Sequence, residues 1–163
     1  MPIALVLDVD GVVCPASGFS PFGELVEVGI ALQPVLVAPA LCAALTNLAA
    51  PPDVTPAWLT SWLPQTRQAM RSPFPGHAWE QIELEPGGDG WPKWSALNAW
   101  LARNPQITRL AWVDDDLTDR APLYTKELRR RGLDALMIAP ATDYGMTPHH
   151  VARLNHWCAR HTL

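Results

Sequence analysis

Short apolar runs and stretches with helical spacing predict the architecture of the chain. Residues 3–7 are consecutive apolar residues, residues 110–113 form a second run, and residues 54–59 form a weaker third one. Runs of this length that are rich in branched side chains predict buried strands. Between them, residues 39–49 begin with proline and are rich in alanine and leucine, and residues 94–103 place apolar side chains on one face. Both stretches predict helices packed on a sheet.

The second half of the chain continues this alternation. Residues 123–131 predict a helix, residues 134–139 predict a strand, and Thr147 and Pro148 begin a closing helix. Alternating strands and helices with short connections favour an α/β fold of three layers, Rossmann-like, with a mainly parallel sheet and helices on both faces. After the first strand, apolar residues bunch around a proline within residues 22–38, which predicts a small β-hairpin.

Two acids follow the first predicted strand. Asp8 and Asp10 stand on alternate residues, and Gly11 marks the point where the backbone bends. Ligands of open α/β sheets bind at the carboxyl ends of the strands. The pair is therefore placed for metal or phosphate chemistry, although a strand that ends in a solvated turn would show the same residues.

A second acidic cluster, Asp114, Asp115 and Asp116, follows residues 110–113. Carboxylates gathered at the ends of neighbouring strands repel one another, and a divalent cation removes that penalty. Oxygen ligands suit a hard ion, and a site that substrate phosphate completes favours Mg²⁺. The run of three acids leaves the direct ligand open by one residue, and Asp116 or Asp119 could equally cap the following helix.

Hydroxyl groups and a lysine add to these acids. Thr60 and Ser61 follow the third predicted strand and can hold a phosphate oxygen. Lys93 stands at the predicted start of a helix, where an ammonium and free backbone N–H groups can both bind an anion. Each residue is weak evidence alone, because a threonine in such a place is usually structural and a lone lysine is usually a solvated charge.

The order of these residues resembles that of a known family. DVDGVV at residues 8–13, Thr60 in AWLTSW, Lys93 in WPKW and WVDDD at residues 112–116 resemble, in this order, the four motifs of the haloacid dehalogenase-like (HAD) phosphatases. The resemblance spans nearly the whole chain, and its first and fourth motifs are specific in combination. Receiver domains of response regulators use similar residue types in a different order.

The resemblance implies a phosphatase that works through an aspartyl-phosphate. Asp8 would be the nucleophile, and Asp10 would be first the general acid and then the general base. Thr60 and Lys93 would bind phosphoryl oxygens. These residue types suit the reaction, since carboxylates carry phosphoryl groups covalently and a second acid supplies the proton transfers.

The resemblance also implies a Mg²⁺ site. Asp8, the backbone carbonyl of Asp10 and Asp114 would hold the ion directly. Asp115 would contact the ion through a water molecule or would contact the residues that bind it directly.

The spacing of the motifs leaves little room for a lid. About fifty residues separate Asp10 from Thr60, and they already contain the hairpin and a helix. We therefore expect a capless or minimal-cap member with an open site, in which the hairpin is the candidate cap. Such members of the superfamily often act on macromolecules or large phosphorylated groups, or borrow a lid from a second subunit. The nearest resemblance is to the small HAD domains of bacterial RNA-repair and polynucleotide-end-processing proteins.

Candidate substrate-binding residues lie close to the motifs. We assign this role to Gly11, Ser61, Trp62 and Arg67. The ring of Trp62 could stack on a nucleobase, as could Trp91 and Trp94, and Arg67, in a loop bounded by prolines, could hold a second phosphate. The alternatives are ordinary packing for the rings and a solvated charge for the arginine.

Composition agrees with one catalytic domain over residues 1–163. The chain is 48% apolar, enough for one core, and its net charge of −4 argues against strong nonspecific binding to nucleic acid. Three widely spaced cysteines suit reduced thiols, and the apolar start is too short for a membrane span. We expect a cytoplasmic protein with no membrane contact, whose partner is a phosphorylated substrate such as a nucleotide or nucleic-acid end. Oligomerisation stays open.

Two alternatives to an efficient enzyme remain at this point. The chain could be a phospho-ligand or nucleic-acid-end binding domain with weak turnover, or an interaction module of a larger assembly that uses its eight tryptophans. Metal-dependent binding without turnover would favour the first. Activity that survives Asp8→Asn would favour the second.

Overall fold

Strands and helices alternate along the chain in the computed structural model, which describes residues 1–29, 35–74, 79–84 and 90–160, apart from the side chains of residues 65 and 66. The strands are β1 (Ile3–Leu7), β2 (Val26–Val28), β3 (Val35–Val37), β4 (Val54–Trp58), β5 (Glu80–Gln81), β6 (Arg109–Val113) and β7 (Asp134–Ile138). The α-helices are α1 (Pro39–Ala49), α2 (Pro64–Arg67), α3 (Pro92–Arg103), α4 (Ala121–Arg130) and α5 (Pro148–Ala159). Two short 3₁₀-helices are Gln68–Arg71 and Asp115–Leu117.

Five of the described strands form a parallel sheet in the order β5, β4, β1, β6, β7. The central strand β1 pairs with β4 and β6 in a register that sets Leu7 opposite both Trp58 and Val113. The chain first builds the sheet from β1 towards β5 and then crosses to β6 and β7 on the other side. Open α/β sheets bind ligands where the strand order reverses in this way.

Helices cover both faces of the sheet, which confirms the predicted α/β fold. Ile3, Leu5 and Leu7 of β1 pack with α1 and α5 on one face, whereas Ala4 and Val6 pack with α3 and α4 on the other. This division follows from the alternation of side chains along a strand. Because both faces are buried, β1 is apolar throughout.

The predicted hairpin is present after β1. Strands β2 and β3 pair antiparallel, with Val26 opposite Val37, and the connecting residues 30–34 lie outside the described residues. The hairpin lies beside α1, where both border a mainly apolar cavity of about 380 Å³. The described hairpin residues do not line the separate cavity at the carboxyl ends of the strands.

The structure differs from the sequence prediction around Arg67, at the ends of several elements and in β5, which was not predicted. The segment that carries Arg67, predicted as a loop, forms α2 and the 3₁₀-helix Gln68–Arg71. Pro64 begins α2, since proline fits the first turn of a helix. The strand predicted over residues 54–59 ends one residue earlier, at Trp58.

Among the described helices, none is long and apolar enough to cross a lipid bilayer.

Candidate active site

The carboxyl ends of three neighbouring strands and the start of one helix meet at one edge of the sheet. Asp8 follows β1, Thr60 lies just beyond β4, Asp114 follows β6, and Lys93 lies in the first turn of α3. Because β1 and β6 pair in register, Asp8 and Asp114 come directly after paired residues, and the Asp8 N–H donates to the Val113 carbonyl at 3.0 Å. The structure therefore brings together the residues of all four sequence motifs.

Three of the acids form a group that can hold a cation. One oxygen from each of Asp8, Asp114 and Asp115 lies within 4.8 Å of the others. Asp8 and Asp114 are buried, and Asp115 is half-buried. A set of carboxylate oxygens fits a hard divalent cation such as Mg²⁺. Asp116, the third acid of the run, is not part of this group, and 58% of its side chain is exposed.

Lys93 lies between two of these carboxylates. Its Nζ is 2.5 Å from Oδ2 of Asp8 and 2.8 Å from Oδ2 of Asp114. A divalent cation was expected to relieve the repulsion among the acids, and in the structure Lys93 supplies part of that relief. One ammonium does not balance three carboxylates, so a further cation still suits the site.

Burial governs the ionisation of the central acids. It raises the pKa of Asp8 above its ordinary value, and Lys93 and the Val9 N–H oppose this only in part. Burial, together with the charge of Asp8, raises the pKa of Asp114 to about 7. Burial also disfavours the charge on Lys93, but the two acids outweigh it and raise the pKa of Lys93. Lys93 is therefore cationic, and a further cation would favour the ionised acids.

Backbone and side-chain donors orient Asp8. The Val9 N–H donates to its Oδ1 at 2.7 Å, and the Thr60 hydroxyl also hydrogen-bonds the Asp8 carboxylate. Thr60 is buried, and its hydroxyl oxygen accepts the N–H of Trp62 at 3.3 Å. Ser61 lies between Thr60 and Trp62 and is exposed. It lines the cavity at the carboxyl ends of the strands, which we call the cavity above the acids. Asp8 is thus held by its own segment, by the end of β4 and by Lys93.

Trp62 contacts Asp10 through its indole nitrogen. Nε1 donates to Oδ2 of Asp10 at 2.5 Å. Asp10 is exposed and lines the cavity, in contrast to the buried Asp8. The Trp62 ring was predicted to stack on the substrate, and in the structure its N–H also holds the second acid of the first motif.

Gly11 lies against Asp115 in a conformation that suits glycine. Its φ is +66°, and a Cβ at this position would collide with the carboxylate of Asp115. Asp115 Oδ2 accepts a hydrogen bond from the Thr142 hydroxyl at 2.7 Å. Thr142 was not among the residues predicted from the sequence. Its position just beyond β7, the neighbour of β6, was the signal that could have identified it.

Neither Asp116 nor Asp119 caps the helix that follows β6, so that alternative is wrong. Helix α4 begins after Arg120, whose side chain makes no capping hydrogen bond. Asp114 instead caps the intervening 3₁₀-helix, because its Oδ1 accepts the N–H of Asp116 at 3.0 Å. The extra helical turn separates the acids from α4.

Arg67, Trp91 and Trp94, which were also predicted to contact the substrate, differ in what they contact in the structure. Arg67 pairs with Glu83 at 3.0 Å, and 12% of its side chain is exposed. Trp94 stacks on Tyr124 with ring centroids 4.1 Å apart. Trp91 lines the cavity above the acids. The structure thus places Trp91 at the site and involves Arg67 and Trp94 in contacts within the protein.

The cavity above the acids has a volume of about 320 Å³. Its described lining combines Asp10, Asp115 and other acids with the apolar side chains of Leu84, Trp91 and Pro92. This lining can accept a charged group at the acids and Lys93 and an apolar ring beside them.

Burial disfavours the thiolate form of the cysteines. All three are free, and burial raises the pKa of Cys14 to about 12 and that of Cys42 to about 12. Cys14, the cysteine that follows the first motif, therefore stays protonated at neutral pH.

Fold and site together define a HAD-type domain, with an acid pair after the central strand, a lysine at a helix start and acids after the neighbouring strand. The family described as "HAD domain in Swiss Army Knife RNA repair proteins" matches residues 4–151, and the chain belongs to it. Membership supports a HAD-type phosphoesterase role. No curated protein and no solved structure gives a match.

Proposed function

We propose that the chain is a Mg²⁺-dependent phosphomonoester hydrolase in which Asp8 carries the phosphoryl group. The observation that most supports this is the position of Asp8, which lies beside Asp114, Asp115 and Lys93 at the end of β1. The candidate nucleophile, metal ligands and phosphate-binding ammonium therefore share one edge of the sheet. Residues 1–163 act as one catalytic domain in this proposal.

In the first half-reaction, a carboxylate oxygen of Asp8 attacks phosphorus and the bond from phosphorus to the leaving oxygen breaks. Asp10 donates a proton to that leaving oxygen. Lys93 and the hydroxyl of Thr60 bind phosphoryl oxygens. Phosphoryl transfer depends mainly on alignment and on neutralisation of charge, so these contacts carry most of the catalysis.

In the second half-reaction, Asp10 removes a proton from a water molecule, whose oxygen attacks phosphorus. The bond from phosphorus to Asp8 breaks, inorganic phosphate leaves, and the carboxylate is regenerated. Asp8, Asp114 and the carbonyl of Asp10 would hold Mg²⁺, with Asp115 beside them, and the bound ion supplies positive charge to the phosphoryl oxygens.

A nucleotide-like group, such as a polynucleotide end, is the substrate class that we propose. The apolar Leu84, Trp91 and Pro92 beside the acids suit a base or sugar next to the phosphate. The described hairpin residues do not line this cavity, and an open site would suit a large substrate. The family description, which names RNA repair proteins, agrees with this class.

Phosphate release is expected to require Mg²⁺. The hydrogen bond from Thr142 to Asp115 is expected to lower the Mg²⁺ concentration at which phosphate release is half-maximal. Thr142→Val removes the hydrogen bond that orients Asp115. We expect the half-saturating Mg²⁺ concentration to rise about tenfold, with little change in kcat at saturation. The measurement is phosphate release from an aryl phosphate and from 3′- and 5′-phosphorylated oligonucleotides, first with a chelator and then with added Mg²⁺.

Thr118→Val is the matched control for Thr142→Val. The Thr118 hydroxyl donates to the backbone carbonyl of Asp115 at 3.1 Å rather than to its carboxylate. The same Mg²⁺ dependence in both variants would contradict the role of Thr142. Release that a chelator does not diminish would contradict the metal requirement. Mg²⁺-dependent oligonucleotide binding without release would favour the binding-domain alternative.

Trp62→Phe is expected to lower kcat by an amount that depends on the leaving group of the substrate. The variant keeps an aromatic ring but loses the N–H that holds Asp10. Proton donation matters most when the leaving oxygen is strongly basic, so we expect kcat for an alkyl phosphate to fall about tenfold. An aryl phosphate with an acidic phenol should change much less. Steady-state kinetics with both substrates measure the difference.

Trp94→Phe is the matched control, because the Trp94 ring stacks on Tyr124. If Trp62→Phe raised KM for both substrates and left kcat unchanged, the result would contradict the positioning of Asp10. It would instead support direct contact between the Trp62 side chain and the substrate.

A further inference from the structure

Two aromatic side chains lie exposed near the site. Phe19 is 61% exposed and Tyr144 is 50% exposed, and their rings meet edge to face with centroids 6.2 Å apart. Exposed rings in a defined arrangement offer open faces to another flat ring.

Close hydrogen bonds join the two segments that carry these rings. The Ala16 N–H donates to the Thr142 carbonyl at 3.0 Å, and the Ser17 N–H donates to the Asp143 carbonyl at 3.1 Å. The Ser17 hydroxyl donates to the same Asp143 carbonyl at 2.5 Å. The two rings therefore belong to segments that are hydrogen-bonded to each other rather than to independent loops.

Thr142 connects this pair of segments to the acids. Its hydroxyl donates to Asp115 at 2.7 Å. Tyr144 is two residues further along the chain, so its Cα lies within about 7 Å of the Cα of Thr142. When the terminal phosphate of a nucleic acid binds at Asp8, a base close to that end can therefore reach the exposed rings.

The cavity offers few cations to a polyanion. Lys93 is the basic residue among the described residues that line it, and Lys93 is already paired with Asp8 and Asp114. Proteins that follow a nucleic-acid backbone use several lysines or arginines to neutralise its phosphates. Recognition beyond the terminal phosphate is better supplied here by stacking, which every base supports.

We propose that Phe19 and Tyr144 form a stacking site for an unpaired base of a nucleic acid whose terminal phosphate lies at Asp8. This inference rests on the proposed function and adds to it the group through which the substrate is recognised. The substrate end is then single-stranded at the base that stacks. Affinity depends only weakly on salt, because few phosphates are neutralised on binding.

Phe19→Ala and Tyr144→Ala test the stacking site. The substrates are a tetra-adenylate RNA with a 3′- or a 5′-terminal phosphate, and phenyl phosphate as a small substrate with no base. We expect each variant to lower kcat/KM for the preferred oligonucleotide by roughly 5- to 100-fold and to leave phenyl phosphate unchanged. Tyr144→Phe, which keeps the ring, should retain wild-type values. Leu123→Ala, at another exposed apolar side chain, is the matched surface control.

A binding measurement separates this inference from the hydrolase proposal. Anisotropy of a labelled, phosphorylated tetra-adenylate is followed with the Asp8→Asn protein, with and without Phe19→Ala, and we expect the second change to weaken binding. No turnover by the wild type contradicts the proposed function alone. Equal binding with and without Phe19→Ala, or no binding by either protein, overturns the stacking site.

Two other results would also overturn it. One is an equal loss of kcat/KM for phenyl phosphate and for the oligonucleotide in Phe19→Ala and Tyr144→Ala. The other is conversion of a wild-type dimer to a monomer by the same substitutions, which would assign the rings to a contact between copies of the chain.

Discussion

Asp8→Asn is expected to abolish phosphate release, with kcat lowered by at least about 10³-fold. An amide in place of the carboxylate lacks the anionic oxygen that attacks phosphorus. Asparagine keeps the size of the side chain and an oxygen that can accept the Val9 N–H, so the fold should persist. Phosphate release at saturating Mg²⁺, with circular dichroism as a check of folding, measures the effect.

Asp119→Asn is the matched control for Asp8→Asn. It removes the same charge from an exposed acid near the end of the second acidic run, and its kcat should stay within about twofold of wild type, as for most surface substitutions. Activity of Asp8→Asn within tenfold of wild type would contradict the assignment of Asp8 and would favour the interaction-module alternative.

Lys93→Met is expected to lower kcat by about 10²-fold or more, because it removes the ammonium that binds the phosphoryl group. It should also destabilise the metal-free protein by about 3 kcal/mol, since Asp8 and Asp114 lose their buried partner. Added Mg²⁺ should restore part of this stability by binding the same acids in the folded state. Thermal unfolding with and without Mg²⁺, alongside kinetics, measures both effects.

Lys126→Met is the matched control, because Lys126 is the other lysine of the chain and is exposed on α4. It should leave kcat, the melting temperature and the Mg²⁺ response unchanged. If Lys93→Met behaved in the same way, the ion pairs of Lys93 would have no part in catalysis or stability.

The positions of the central acids could be predicted from local patterns. Asp8 and Asp114 each follow a short apolar run, and parallel pairing of buried strands brings the ends of such runs to one edge of a sheet. Lys93 was predictable because Pro92 marks the start of its helix. Strand and helix periodicity was sufficient for these backbone positions.

The side-chain partners around these acids could not be predicted in the same way. The contact between Trp62 and Asp10 joins residues that are 52 positions apart. Thr142 reaches the site from an irregular segment after β7. Arg67, which was predicted to contact the substrate, pairs with Glu83 in the structure. Such contacts depend on the path of irregular segments, and hydrophobic periodicity carries no information about that path.

The sequence determined the arrangement of the acids after β6 only in part. The run of three aspartates left the metal ligand open by one residue, and a shift of one residue reverses the direction of a side chain on a strand. In the structure, Asp114 and Asp115 lie with Asp8 whereas Asp116 is largely exposed, and this geometry supports the ligands that we propose. The choice depended on the 3₁₀-helix after β6, which the acids alone did not reveal.

Detection of a phosphoryl group on Asp8 tests the central claim most directly. Wild-type protein is mixed with a phosphomonoester and Mg²⁺, quenched in acid during turnover, and its peptides are mapped by mass spectrometry. We expect a phosphoryl group on Asp8 that needs Mg²⁺ and disappears when the substrate is exhausted. Sustained turnover with an unmodified Asp8 in rapidly quenched samples, together with an Asp8→Asn variant that still releases phosphate, would contradict it.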